Sequence, residues 1–138
     1  MSVLPLILVS LALAQTEESR ELRQILEQQR AAWNRGDLEA FMRTYWNSPD
    51  LTFFSGDTII KGWTATLERY RARYQAGGQD MGQLSFSDQR VEMLGTAAAT
   101  VTARWHLAFR DGQKREGLTT VICRKTDRGW KIVHDHSS

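Results

Sequence analysis

A chain of 138 residues with 41% apolar side chains can bury one core, and 18 basic against 16 acidic residues leave a formal charge of +2. The charges are interspersed without a basic stripe, which excludes nucleic-acid binding as the organising function. The single cysteine, Cys123, excludes an intrachain disulfide; mid-strand beside Val121 and Ile122, it is expected as a small core hydrophobe rather than a nucleophile.

Residues 1–14 stand apart. Val3 to Ala14 is uncharged and apolar, ends in Ala12-Leu13-Ala14, and gives way to the polar Gln15-Thr16-Glu17-Glu18. A short apolar core followed by small residues is the pattern that signal peptidase cuts, and it falls short of the ~20 apolar residues that span a bilayer. No Lys or Arg precedes the apolar run. The expectation is cleavage after Ala14, a mature domain of residues 15–138, a secreted or periplasmic location, and no membrane attachment once the segment is removed.

From Glu17 to Asn34, Leu22, Ile25, Leu26, Ala32 and Trp33 form one helical stripe, closed by Gly36. Asp37 caps a shorter helix whose buried side carries Leu38, Phe41, Met42 and Tyr45. Leu51–Phe54 and Thr58–Lys61 are two short strands around Ser55-Gly56-Asp57, and a third helix starting near Gly62 aligns Trp63, Leu67, Tyr70 and Tyr74. Gln83 to Leu94 is a further strand. Ala98–Phe109, Leu118–Lys125 and Trp130–His136 then form a meander, broken by Asp111-Gly112 and by Thr126 to Gly129. The order α-α-β-β-α-β-β-β-β predicts an α+β domain, with three helices on the concave face of a curved antiparallel or mixed sheet.

Turn chemistry assigns the faces. With Asp111-Gly112 as a two-residue loop, Trp105 opposes Leu118 and Ala103 opposes Thr120; with the second loop at Thr126 to Gly129, Thr120 opposes Asp135. One face then collects Val101, Ala103, Trp105, Leu107, Leu118, Thr120, Ile122, Val133 and Asp135, and being the more apolar it is placed against the helices. Thr119, Val121, Cys123, Ile132, His134 and His136 take the other face. A one-residue change in either loop swaps a strand's faces.

An inward Asp135 is costly unless paired or solvated. It serves either a cavity whose ligand or chemistry needs a carboxylate, or a structural bond to a donor such as Trp33, Trp105, Tyr45 or Tyr70. The aromatics likewise either line a pocket or are plain core. His134-x-His136 invites a metal with His106 as third ligand, but His106 lies two strands away, roughly 10 Å, while zinc ligand atoms sit ~2 Å from the metal. No metal or cofactor is therefore expected, and the histidines belong to a polar outer face suited to a dimer. No G-x-S-x-G, P-loop or C-x-x-C pattern occurs.

Trp33-Asn34-Arg35-Gly36-Asp37 with Phe41, Asp50-Leu51-Thr52-Phe53, Gly62, and Gly129-Trp130-Lys131-Ile132-Val133-His134-Asp135-His136-Ser137 resemble the nuclear transport factor 2-like superfamily, specifically its SnoaL-like branch of domains of unknown function. The chain is also similar to the association (hub) domain of calcium/calmodulin-dependent protein kinase II. The resemblance implies a cone-shaped scaffold with a pocket between sheet and helices, often a homodimer through the sheet, and a fold that hosts isomerases, cyclases, hydrolases and hubs alike. The hub's cavity arginines fall on Trp105, Thr120 and Ser137, none basic, which argues against an anionic ligand.

Three readings follow. The first is an exported, non-catalytic domain, read as homodimeric, that binds a small apolar molecule through Trp33, Tyr45, Tyr70, Trp105 and Thr120. The second is a SnoaL-type isomerase, cyclase or hydrolase with Asp135 as general acid or base. The third is an oligomerisation module without catalysis.

Overall fold

The computed structural model describes residues 4–138. Helices α1 (Leu4–Asn34), α2 (Leu38–Met42) and α3 (Trp63–Tyr70) pack on a curved six-stranded sheet: β1 (Thr52–Ser55), β2 (Thr58–Lys61), β3 (Gln83–Met93), β4 (Ala98–Ala108), β5 (Lys114–Thr126) and β6 (Gly129–Ser137). The strand order is β2-β1-β6-β5-β4-β3, with β1 and β6 parallel and every other pair antiparallel. This is the α+β architecture expected, with a π-helical segment, Arg71–Ala76, continuing α3.

α1 begins well before Glu17, inside the apolar segment. The expected leader, residues 1–14, starts in positions 1–3, which lie outside the described residues. No helix among the described residues is long and apolar enough to cross a membrane. The buried stripe of α1 runs from Leu22 through Ile25, Leu26 and Ala32 to Trp33. Its end is a Schellman motif: Asp37 N–H donates to Ala32 O and Gly36 N–H to Trp33 O, with Gly36 at φ 75°. Asp37 then accepts from Ala40 N–H to start α2, which ends at Met42, short of the expected Tyr45. Asn34 clamps β3 by donating to Leu84 O and accepting from Leu84 N–H, while the Trp33 indole donates to Met81 O. The Trp33-to-Asp37 motif is thus a helix stop joined to a sheet clamp.

The β4–β5 register corrects the expected one. Phe109 N–H donates to Gln113 O, so the loop holds three residues, Arg110-Asp111-Gly112, with Gly112 at φ 86°. Trp105 therefore opposes Gly117, and Ala103 opposes Thr119. All of β5 is turned over: Thr119, Val121 and Cys123 face the helices, whereas Thr120 and Leu118 are exposed. A second irregularity follows in β6. Cys123 pairs Ile132 but Ile122 pairs His134, so Val133 is passed over and the distal half of β6 changes face. Asp135 thereby faces inward, opposite Val121. Ile132 is buried, contrary to its expected outward place.

Candidate functional site

Asp135, 4% exposed, is held by three hydroxyl groups. Tyr45 donates to Oδ2 at 2.7 Å, Ser137 to Oδ1 at 2.7 Å and Thr119 to Oδ1 at 3.3 Å. Each donor has a separate structural origin. Ser137 is two residues on along β6 and shares its face. Thr119 is directly opposite Ser137 on β5. Tyr45 follows α2 in a short parallel bridge to Ile132, where Trp46 N–H donates to Ile132 O and Ile132 N–H to Thr44 O. That bridge fixes how far the phenol reaches along β6.

Burial pushes the Asp135 carboxyl above its ordinary value, against the bonds from Tyr45, Ser137 and Thr119 and the nearby His134. Burial, reinforced by the Asp135 charge, drives the Tyr45 phenol well above its own. Tyr45 therefore stays a donor, and Asp135 is the group that can take up or release a proton. With one donor on Oδ2, a lone pair there is still free to accept.

Asp135 lies in the wall of a cavity of about 210 Å³ between sheet and helices. Trp33, Tyr45, Tyr70 and Trp105 line the same cavity, so five of the six residues singled out from sequence come together. Thr120 does not; it is exposed on the opposite face, and Thr119 takes its place because the first hairpin loop is one residue longer than expected. The aromatic wall is built edge to face. Trp33 meets Phe41, Tyr70 and Tyr74 at centroid distances of 5.3, 5.8 and 5.2 Å, which fixes the rings without closing the space beside them.

Sequence reasoning missed Arg69 and Arg73, which also line the cavity; Ser137, a cavity position by the resemblance to the hub domain, lines it as well and shares the face of Asp135 by two-residue alternation. Helical spacing would have found the arginines, Arg73 three residues after Tyr70 and Arg69 four before Arg73. Thr119 required the register.

The histidines lie elsewhere. His134 Nδ1 is 2.6 Å from Thr52 Oγ1, and both His134 and His136 meet the edge of Phe54. His106 lies between Ser87 Oγ, 2.7 Å from Nε2, and Glu116, 3.2 Å from Nδ1. That array is on the open outer face, where Glu116 is 59% exposed and shared with Arg104, so water damps any activation of the serine. No cluster of three or more His, Cys, Asp or Glu able to hold a metal occurs among the described residues.

Residues 22–138 match the family model described as SnoaL-like domain. A solved NTF-2 like protein of unknown function from Shewanella oneidensis is 36% identical, covers 87% of this chain and 98% of its own, and superposes with a TM-score of 0.81. An NTF2-like superfamily protein from Salmonella enterica is 21% identical over 90% of this chain and 92% of its own, with a TM-score of 0.72. A Xanthomonas campestris protein described as a calcium/calmodulin dependent protein kinase II association domain is 19% identical, with 86% and 85% coverage and a TM-score of 0.66. No curated protein matches.

Proposed function

The chain belongs to the SnoaL-like domain family, and from that premise we propose that it binds a small, largely apolar molecule in the cavity, oriented by a hydrogen bond to Asp135. One observation carries the reading: a carboxylate held by three hydroxyl groups forms part of the wall of an aromatic cavity instead of being sealed in the core. A purely structural aspartate needs its donors but no space beside it. Size narrows the ligand. An apolar cavity of roughly 150 Å³ admits benzene, and drug-sized ligands need roughly 300 Å³ or more. About 210 Å³ suits one substituted ring.

Phenol and anisole, which differ in the ring's donor, test this through the fluorescence of Trp33 and Trp105. Phenol is expected to give a saturable change and to bind more tightly than anisole. Asp135→Asn, which exchanges a charged acceptor for a neutral one, should reduce that preference about fivefold. No saturable response, or equal binding of both probes by the unmodified protein, refutes the reading.

The raised Asp135 carboxyl favours a second reading, general acid or base chemistry on the bound ring. Turnover of any candidate substrate should then disappear in Asp135→Asn while binding survives. Two further properties belong to the proposal. Export after loss of residues 1–14 fits a core whose first buried side chain among the described residues is Leu22, and the mass of the protein recovered from an exporting host tests it. A homodimer through the outer sheet face fits the exposed Leu118 there, and light scattering tests it; a dimer without ligand or turnover would favour a pure assembly module.

A further inference from the structure

We propose that the ligand is an aromatic acid: a single ring whose hydroxyl donates to Asp135 and whose carboxylate is taken by Arg69 and Arg73. The inference rests on the reading that the cavity takes a small molecule, and it adds the opposite end of that molecule. Both arginines are exposed yet line the cavity that has the buried Asp135 in its wall, so they stand at its open end. The strand positions that match the hub's cavity arginines, Trp105, Thr120 and Ser137, are neutral here and by themselves argue against an anionic ligand; the positive charge comes from the helical side instead.

The three arginines of this segment have different fates. Arg71 is committed to Glu39 and Glu68, outside the cavity. Arg69 has no carboxylate partner among the described residues, and Arg73 gives its Nε to the neutral amide of Gln79 at 2.8 Å and lies over the Tyr74 ring. Two unneutralised guanidinium groups therefore share one opening, and among the described residues Asp135 is the only acidic one in the lining. Burial, with the Asp135 and Tyr74 charges, pushes the Tyr70 phenol well above its ordinary value, and the charges of Arg69 and Arg73 only oppose that rise.

Arg69 stands in the last turn of α3 and Arg73 in the π-helical continuation, Arg71 to Ala76, a widened turn of a kind that recurs at functional sites. Tyr70 and Tyr74 stack there with centroids 6.2 Å apart and planes 23° from parallel, and both line the cavity. Negative charge within and positive charge at the mouth give the cavity a polarity. A carboxylate is repelled by Asp135 and drawn outward, and the planar guanidinium fork matches its two oxygens.

Titrations of 4-hydroxybenzoate and its methyl ester, followed by tryptophan fluorescence, test the assignment. At low ionic strength the acid should bind about fivefold or more tightly than the ester, and salt should shrink that ratio because the arginines are exposed. The ratio should fall to about one in Arg69→Gln/Arg73→Gln and persist in Arg71→Gln, which removes a charge already neutralised. An ester that binds as well as the acid, or a ratio unmoved by salt and by the double substitution, overturns the anionic end and leaves the cavity reading standing. No saturable response to either compound overturns both.

Discussion

The Tyr45 phenol donates to Asp135 Oδ2 at 2.7 Å across 90 positions of sequence, joining the segment after α2 to the last strand. The bond is buried, so it links the helical layer to the sheet at the cavity itself.

Tyr45→Phe is expected to keep the fold and lower its stability by about 1–3 kcal/mol, the cost of leaving a buried carboxylate one donor short. Asp135 should become still harder to ionise, since the Tyr45 bond now opposes the effect of burial. Urea denaturation measures the first effect, and the carboxyl carbon shift of Asp135 followed against pH measures the second.

Stability should depend on pH through Asp135 in the direction opposite to an ion-paired aspartate. Its folded pKa is raised above the ordinary 3.8, so between the two values the folded state holds more protons than the unfolded one. The contribution is present in full below pH 3.8 and is lost as pH rises through the folded pKa. Asp135→Asn removes this dependence. The stability of the unmodified protein relative to Asp135→Asn should therefore fall as pH climbs from about 4, and a relative rise contradicts the burial argument.

Gly117→Ala should be destabilising by about 1–3 kcal/mol, the usual cost of overpacking. A Cβ there would run into the backbone carbonyl oxygen of Ser138 and stand 2.6 Å from Cζ2 of Trp105, whose indole lies across the bare glycine and whose Nε1 donates to that same oxygen. Because Trp105 also lines the cavity, the same substitution should shift tryptophan emission and weaken ring binding. Thermal melting and the phenol titration report on the two effects.

Cys123 should be inert while the protein is folded. It is 0% exposed, and burial, aided by the Asp135 charge, pushes its thiol up to about 12. Iodoacetamide at pH 8 should leave the native protein unmodified and alkylate it once in urea, as the intact mass will show.

Helices, caps and turns were legible because they are written in short stretches. Gly36 after the Leu22-to-Trp33 stripe, Asp37 before Leu38, and Gly112 and Gly129 between apolar runs each act on the few residues around them. The family motifs were legible for the same reason. The aromatic cavity followed in outline, since Trp33, Phe41, Tyr45, Tyr70 and Tyr74 sit on helices or just beyond them.

What the sequence by itself determined was this set of elements, their order and the buried carboxylate as a point of interest. Tertiary structure alone decided which face of each strand met the helices. Asp111-Gly112 suits a two-residue or a three-residue loop, and the choice between them turns over every side chain of β5. Asp135 nevertheless faces the helices as expected, because the longer loop and the irregularity at Val133 offset one another. The register is set by pairs such as Trp105 with Gly117 and Val101 with Val121, which meet across one hairpin but whose fit depends on the helices packed over them. Face parity is a property of the assembled sheet, and so the donors around Asp135 could be named only once its strands were paired.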